Sequence, residues 1–338
     1  MKANKKPVEC KQNRLLLLGW SGDEFRRYHN ALFGQPGIQT MSSAAVPCLV
    51  VLAAGMGSRF GGDKQLAILG NTGRTLLHFS AMDAYQAGVR KLVLVIRPEL
   101  TAALQQQVLI HLPADLKVLL VVQNPADLPN GISADPRQKP WGTAHALWCA
   151  RSAVANDPMI VINDDDYYGA KAMQLLVQHF SNATPDWAMV AFPLARTLST
   201  HGGVNRGVCV VAQSYLKSVE EYCQIARQNT LTLYGMNSQG QAVQLAPDAP
   251  VSMNIWGFSA AIMQQLEQAL TAFFQAKPDD KTECYLPAVV DNALKQTQRL
   301  QVYLSDEAWF GVTYPADLPE IVEHFQTKQQ EAGHNLHI

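Results

Sequence analysis

The residues best equipped for chemistry lie together in Leu52-Ala53-Ala54-Gly55-Met56-Gly57-Ser58-Arg59-Phe60-Gly61-Gly62-Asp63-Lys64-Gln65-Leu66. An apolar run ending at Ala53 opens into glycines, where a backbone without Cβ atoms can approach an anion closely. Exposed N–H groups in such a loop form an anion cradle. Arg59 and Lys64 add positive charge on either side. The combination suits a triphosphate attacked at its α-phosphorus, where developing negative charge needs fixed cations. Two other phosphate loops do not fit. A P-loop requires G-K-[ST], and Lys64 is followed by Gln65. The dinucleotide fingerprint requires G-x-G-x-x-G, and Gly55, Gly57 and Gly61 miss that spacing by one residue.

A second group follows another apolar run: Asp164, Asp165 and Asp166 stand directly after Met159 to Asn163. Open α/β sheets place ligands at strand ends of this kind. Three carboxylates in a row repel one another unless a cation sits among them, and Mg²⁺ is commonly held by one or two carboxylates plus phosphate oxygens.

Elements that could position these groups alternate along the chain. Cys48 to Ala53, Leu92 to Ile96, Val118 to Val122 and Met159 to Ile162 read as buried strands. Thr75 to Ala87, Glu99 to His111 and Gly142 to Ala155 read as the helices between them. Near-continuous apolar strands alternating with helices predict a parallel sheet covered on both faces. After Asp186 the rhythm changes. Ala188 to Phe192, Gly207 to Val211, Ser218 to Tyr222 and Val251 to Phe258 read as strands without long intervening helices, an antiparallel extension closing over a ligand. Helices over Ala260 to Ala276, Glu283 to Lys295 and Pro315 to Gln330, with a strand at Leu300 to Leu304, complete the chain. The expected fold is α/β: a Rossmann-like mixed, mainly parallel sheet flanked by helices, with that extension over the substrate site.

The glycine loop resembles the signature of sugar-phosphate nucleotidyltransferases, the nucleotidyl transferase family with a nucleotide-diphospho-sugar transferase fold. Its Gly-Ser-Arg-Phe-Gly-Gly-Asp-Lys-Gln form is similar to a subgroup whose sugar is often unassigned. Further landmarks follow in chain order. Gln123 falls where family members place a base-reading glutamine, and Pro140-Trp141-Gly142-Thr143-Ala144 matches the P-x-G-T-A segment whose glycine packs against the base. Asn163 to Gly169 matches the acidic Mg²⁺ motif, and Asn254-Ile255-Trp256-Gly257-Phe258 resembles a later strand that contacts the sugar.

The resemblance implies an enzyme that transfers a nucleoside monophosphate from an NTP to a phosphorylated acceptor, a sugar 1-phosphate, with release of pyrophosphate. Transfer to a non-sugar phosphate is the alternative within the class, and a non-catalytic nucleotide- or sugar-binding regulator the alternative outside it. Lys64 and Arg59 become the catalytic residues; Leu52, Ala53, Ala54, Gly55, Met56, Gly57, Ser58, Gln123, Gly142 and Thr143 bind the nucleotide. Asp164 falls on the family's metal position, helped by Asp166 or Asp165 through water. Asn254, Arg206 and Glu283 are the acceptor-binding candidates. His145 reads as a helix residue lining the pocket, and Trp256 and Phe258 as core. One departure stands out: relatives carry a late W-x-D-x-G-T motif whose Asp completes the metal site, whereas Trp309-Phe310-Gly311-Val312-Thr313-Tyr314 has no Asp. Asp306 and Glu283 are the substitutes.

Composition narrows the partners. A formal net charge of -1 over 338 residues provides no field for a nucleic-acid backbone. No window is long and apolar enough to span a membrane, and the leucines at 15–18 are too few for a signal peptide. Six scattered cysteines without metal spacing read as reduced thiols in a cytoplasmic protein. Residues 1–45 read as an extension expected to be poorly ordered. Residues 46–332 read as one nucleotidyltransferase domain, 46–185 for the nucleotide and 186–332 for the acceptor, followed by a tail at 333–338. The partners expected are an NTP, a phosphorylated small molecule and, in a homo-oligomer, copies of the chain itself; neither nucleic acid nor membrane is expected.

Overall fold

Strand β1 (Cys48–Ala53) is apolar and buried at every position. Cys48, Val50 and Leu52 enter one core with Leu147 and Trp148, while Leu49, Val51 and Ala53 enter the other with Leu77 and Ala81. Successive strand residues face opposite ways, so an unbroken apolar run needs a layer on each face. Helix α1 (Leu76–Gln86) supplies one, starting at Thr75, whose side chain accepts the His78 N–H at 3.2 Å. The computed structural model describes residues 46–55, 64–133, 137, 139–182, 184–199, 202–228, 232–279, 281–312 and 315–334. The expected extension 1–45 and residues 335–338 of the expected tail 333–338 lie outside them, whereas 333 and 334 end the last helix.

The first half continues with β2 (Lys91–Ile96), α2 (Thr101–Gln107), β3 (Lys117–Val122), α3 (Thr143–Cys149), α4 (Arg151–Val154) and β4 (Met159–Asn163). β1 lies parallel to β2 and β4, and β2 parallel to β3, giving the order β3-β2-β1-β4. The expected helix over 99–111 is α-helical only at Thr101–Gln107, between 3-10 turns at Pro98–Leu100 and Leu109–His111. That over 142–155 breaks at Ala150, whose N–H bonds the Leu147 carbonyl in a tightened turn.

After the short β5 (Asp166–Tyr167) comes α5 (Ala170–Ser181), a helix not among the expected elements, with Ala172, Met173, Leu176, Val177 and Phe180 as its buried stripe. The second half holds β6 (Trp187–Pro193), β7 (Val204–Ala212), β8 (Tyr215–Arg227), β9 (Leu233–Met236), β10 (Ala242–Leu245), β11 (Pro250–Phe258), α6 (Ile262–Gln275), α7 (Leu286–Lys295), β12 (Leu300–Leu304), β13 (Phe310–Gly311) and α8 (Leu318–His334). Among the described residues the main sheet runs β10-β9-β8-β12-β6-β11-β4-β1-β2-β3, with β7 against β8 and β11. Beyond β4 the pairings are antiparallel except β6 with β12, so the sheet is mixed. The β9–β10 hairpin was not anticipated, and β8 extends well past the expected 218–222. Trp256 and Phe258 are fully buried and stack with centroids 6.1 Å apart, as core residues.

The chain divides into two compact units. The larger, residues 38–322, carries both sheets. Of the smaller, the described part is Glu323–His334, where the His324 and Phe325 rings meet edge-on at 5.5 Å. Among the described residues no helix is long and apolar enough to cross a membrane.

Candidate active site

The strand order reverses between β1 and β4, and in open α/β sheets ligands bind in the crevice beyond the carboxyl ends at such a point. The two motifs flank it. Leu52 of β1 is in register with Asn163 of β4, so the glycine loop and the acidic turn leave the sheet side by side. Leu52, Ala53 and Ala54 are buried, and Gly55 is exposed. Met56, Gly57, Ser58 and Arg59 lie outside the described residues. The chain re-enters at the 3-10 turn Lys64–Leu66. Within it Gln65, not singled out in the sequence, is fully buried and donates from Nε2 to the carbonyls of Gly55 at 3.2 Å and Ala53 at 3.5 Å. Nothing in a Lys-Gln pair announces a buried amide; only the fold shows it.

The three carboxylates of the acidic turn have different surroundings. Asp166 Oδ2 accepts from Asn163 Nδ2 at 2.9 Å and from the Tyr168 hydroxyl at 3.1 Å. Burial, reinforced by the Asp166 charge, pushes the Tyr168 hydroxyl well above its ordinary pKa, so it remains a donor. Asp165 is half-buried, and its backbone oxygen receives the Val312 N–H at 2.8 Å. Asp164 is buried directly after β4. The stretch lacking the late Asp lies against this turn: Phe310 pairs with Tyr167 and Gly311 with Asp166. Among the described residues no three His, Cys, Asp or Glu side chains form a metal cluster. Buried carboxylates at a strand end, with Asp166 held by Asn163 and Tyr168, are donors of the kind Mg²⁺ takes together with phosphate oxygens. Of the two substitutes, Asp306 is exposed, and Glu283 is paired with Lys139 at 2.5 Å.

Gln123 follows β3 and is buried. Its Nε2 donates to the Gly142 carbonyl at 3.2 Å and meets His145 Nδ1 at 3.1 Å. Gly142 has φ +100°, and a β-carbon there would stand 2.5 Å from the Cys284 oxygen. Close approach of the segment at Cys284 therefore already requires glycine. The Thr143 hydroxyl accepts the Leu286 N–H at 2.9 Å, at the start of α7.

On the other side a cavity of about 830 Å³ is lined by Arg196, Ser199, Asn205, Arg206, Trp309 and Glu320, among others. Arg206 donates twice to the Thr197 carbonyl and lies 5.0 Å from the Trp309 ring centroid. Burial lowers the pKa of its guanidinium, opposed by the charges of Asp166 and Glu221. Burial raises the pKa of the Glu221 carboxyl, opposed by Arg206. Arg206 is thus the acceptor candidate that the fold brings to the cavity wall. Asn254 stands at a bulge of β11 between Ser252 and Trp256, with φ +61°, a conformation Asn tolerates better than most residues. Glu283 belongs instead to the segment bonded to Trp141 and Ala144.

An open sheet reversing at β1/β4, with a glycine loop and a carboxylate turn on the two sides of the reversal, defines a nucleotide-handling α/β enzyme. The chain belongs to the MobA-like NTP transferase domain family, whose model matches residues 49–228, more than half of its length. It is accordingly a nucleotidyltransferase. Solved structures share the fold. A UDP-glucose pyrophosphorylase from Acinetobacter baumannii is 16% identical, with 83% of this chain and 93% of that one covered at a TM-score of 0.54. A putative glucose-1-phosphate thymidylyltransferase from Bacillus anthracis is 14% identical, with 82% and 94% covered at 0.55. The inositol-1-phosphate CTP transferase from T. maritima is 14% identical, with 85% and 96% covered at 0.55. No curated protein sequence matches the chain.

Proposed function

We propose that the protein transfers NMP from an NTP to a sugar 1-phosphate and releases pyrophosphate. The observation that carries this reading is the register of Leu52 with Asn163, which sets the phosphate loop beside the acidic turn at the sheet's reversal point. The fold neighbours support the acceptor class: they are named for glucose 1-phosphate, UDP-glucose and inositol 1-phosphate chemistry.

In this reading Leu52 to Ser58 hold the triphosphate through backbone N–H groups. Arg59 grips the departing β- and γ-phosphates, and Lys64 neutralises charge growing at the α-phosphorus. Gln123, Gly142 and Thr143 frame the base, with Thr143 acting through its hold on α7. Asp164 is the principal ligand for Mg²⁺, and Asp166 keeps the turn in shape beside it. Bound there, Mg²⁺ would neutralise phosphate charge. The acceptor enters the cavity beside Arg206, whose cation faces its phosphate, with Asn254 and Glu283 as the outlying candidates. A phosphate monoester is already largely anionic near neutral pH, so the attacking oxygen needs little help from a base. Residues 46–185 form the nucleotide half and 186–332 the acceptor half. The five described cysteines are free thiols, in keeping with a reducing cytoplasm.

The test is a pyrophosphate-release screen of four NTPs against sugar 1-phosphates, inositol phosphate and alditol phosphates, with and without Mg²⁺. Turnover with a sugar 1-phosphate is expected. Turnover only with a non-sugar acceptor would replace the acceptor class. Nucleotide binding without turnover on any acceptor would replace catalysis by a regulatory role.

A further inference from the structure

The amide of Gln123 is surrounded by groups whose hydrogen-bonding signs are fixed. The Gly142 carbonyl can only accept, and it already receives the Ala146 N–H at 3.0 Å as α3 begins, so the helix sets its direction. The Asp127 carbonyl also can only accept, and it lies 3.1 Å from His145 Nε2. That ring nitrogen therefore carries the proton, which makes Nδ1 an acceptor in the neutral imidazole. Nδ1 faces Gln123 Nε2 at 3.1 Å. Both hydrogens of the Gln123 amide are thus spent, on Gly142 and on His145. Among the described residues its oxygen takes no hydrogen bond.

The support behind His145 is itself fixed. Arg151 binds the Asp127 carboxylate through two bonds, at 2.8 and 2.7 Å, and its guanidinium covers the Trp148 ring at 4.3 Å. His145 is fully buried, and burial pushes its pKa down to about 4, so the neutral ring persists through the working pH range. An unrestrained glutamine amide can turn over and match a donor or an acceptor equally well. Here a turned amide would set its oxygen against two acceptors.

We propose that His145 is a positioning residue for base selection: it leaves Gln123 only an accepting oxygen, so the site favours a nucleobase with a ring N–H (uracil, thymine or guanine) over one with a bare ring nitrogen (cytosine or adenine). The proposal rests on the nucleotidyltransferase reading, with Gln123 beside the base. The ring nitrogen of the pairing edge is where those two groups of bases have opposite polarity, so a reader of one fixed sign separates them there.

The test is equilibrium titration of the full chain with UTP, GTP, CTP and ATP, without acceptor. UTP or GTP is expected to bind about tenfold or more tightly than CTP and ATP, the scale of one hydrogen bond made against one left unmade. His145→Asn puts a side-chain oxygen where Nδ1 stands and should hold that ratio within about threefold; His145→Gln reaches the Nε2 position instead and should narrow it by about tenfold. Two-bond ¹H–¹⁵N correlations on the unmodified protein read the tautomer without any variant, and Nε2–H is expected. An Nδ1–H tautomer, tighter binding of CTP or ATP, or undiminished selectivity in His145→Gln would overturn the proposal and leave the transferase reading standing. Failure of every nucleotide to bind would instead overturn that reading, and base selection with it.

Discussion

Buried Gln65 reaches back from its 3-10 turn to hold the Gly55 carbonyl at 3.2 Å, joining the two ends of the glycine loop. A loop rich in glycine has much conformational freedom to lose on binding a nucleotide, and a side chain that closes its base removes part of that loss beforehand. Gln65→Leu keeps the bulk and removes the donors. The KM for NTP should rise about tenfold and stability should fall by about 1–2 kcal/mol. Steady-state kinetics with a thermal melt would check both; an unchanged KM would show that the loop holds its shape without the clamp.

Gly142 and Gly131 make a matched pair for a second test. Both have positive φ, +100° and +77°, but a β-carbon on Gly142 meets the Cys284 backbone, whereas one on Gly131 meets nothing within 4 Å. Gly131→Ala should cost about 1 kcal/mol, the strain of the left-handed region alone. Gly142→Ala should cost about 3 kcal/mol or more, because strain and collision add. Urea denaturation midpoints at constant slope give the comparison. Equal costs would mean that the Cys284 segment can move aside.

The acidic turn predicts a division of labour. Asp164→Asn should abolish Mg²⁺-dependent pyrophosphate release while the melting temperature stays close to that of the unmodified protein. Asp166→Asn should lower stability by about 1–3 kcal/mol, since its carboxylate accepts from both Asn163 and Tyr168. If Asp166→Asn melts normally and Asp164→Asn turns over at the original rate, the two roles are reversed.

Lys64→Ala should lower kcat by about 10²–10³-fold, the scale of losing one preorganised electrostatic contact, while NTP binding survives in part. Pyrophosphate release at saturating NTP measures the first effect and nucleotide titration the second. Turnover at the original rate would remove Lys64 from the chemistry.

His145 gives the protein a defined pH response. Its pKa falls from the ordinary 6.5 to about 4 in the folded chain. The unfolded chain therefore takes up this proton first as the solution is acidified. The stabilisation is complete above pH 6.5, is lost progressively as the pH falls toward 4, and declines no further below that. The full loss is about 3 kcal/mol for a shift of this size. Denaturation free energies between pH 4.5 and 7 should rise with pH, and less steeply in His145→Asn. Parallel slopes for the two proteins would assign the acid sensitivity to other groups.

The reach of the sequence can be judged from particular residues. The alternation of Cys48 to Ala53 between two cores is legible because an unbroken apolar strand must be covered on both faces. The glycine loop and the acidic run could be singled out because residue type and near spacing carry their chemistry, and Gln123 only through the family resemblance. Helix α5 was not among the expected elements, although Ala172, Met173, Leu176, Val177 and Phe180 carry a regular helical period. Other features were not written locally at all. The glycine at 142 matches a known pattern, but its steric need comes from Cys284 in a distant segment. Glu283 bears the charge of a metal ligand, yet the fold commits it to Lys139. The buried amide of Gln65, the contacts of Gln123 with Gly142 and His145 and the meeting of Arg206 with Trp309 likewise depend on which segments the tertiary structure brings together. The sequence by itself determined the strand–helix alternation from Cys48 to Asn163 and the candidate residues for phosphate, because both follow from local period and side-chain type. Only the tertiary structure decided which carboxylate accepts from Asn163 and Tyr168, which arginine reaches the cavity and which groups the Gln123 amide donates to, because each depends on hydrogen-bond partners supplied by other parts of the chain.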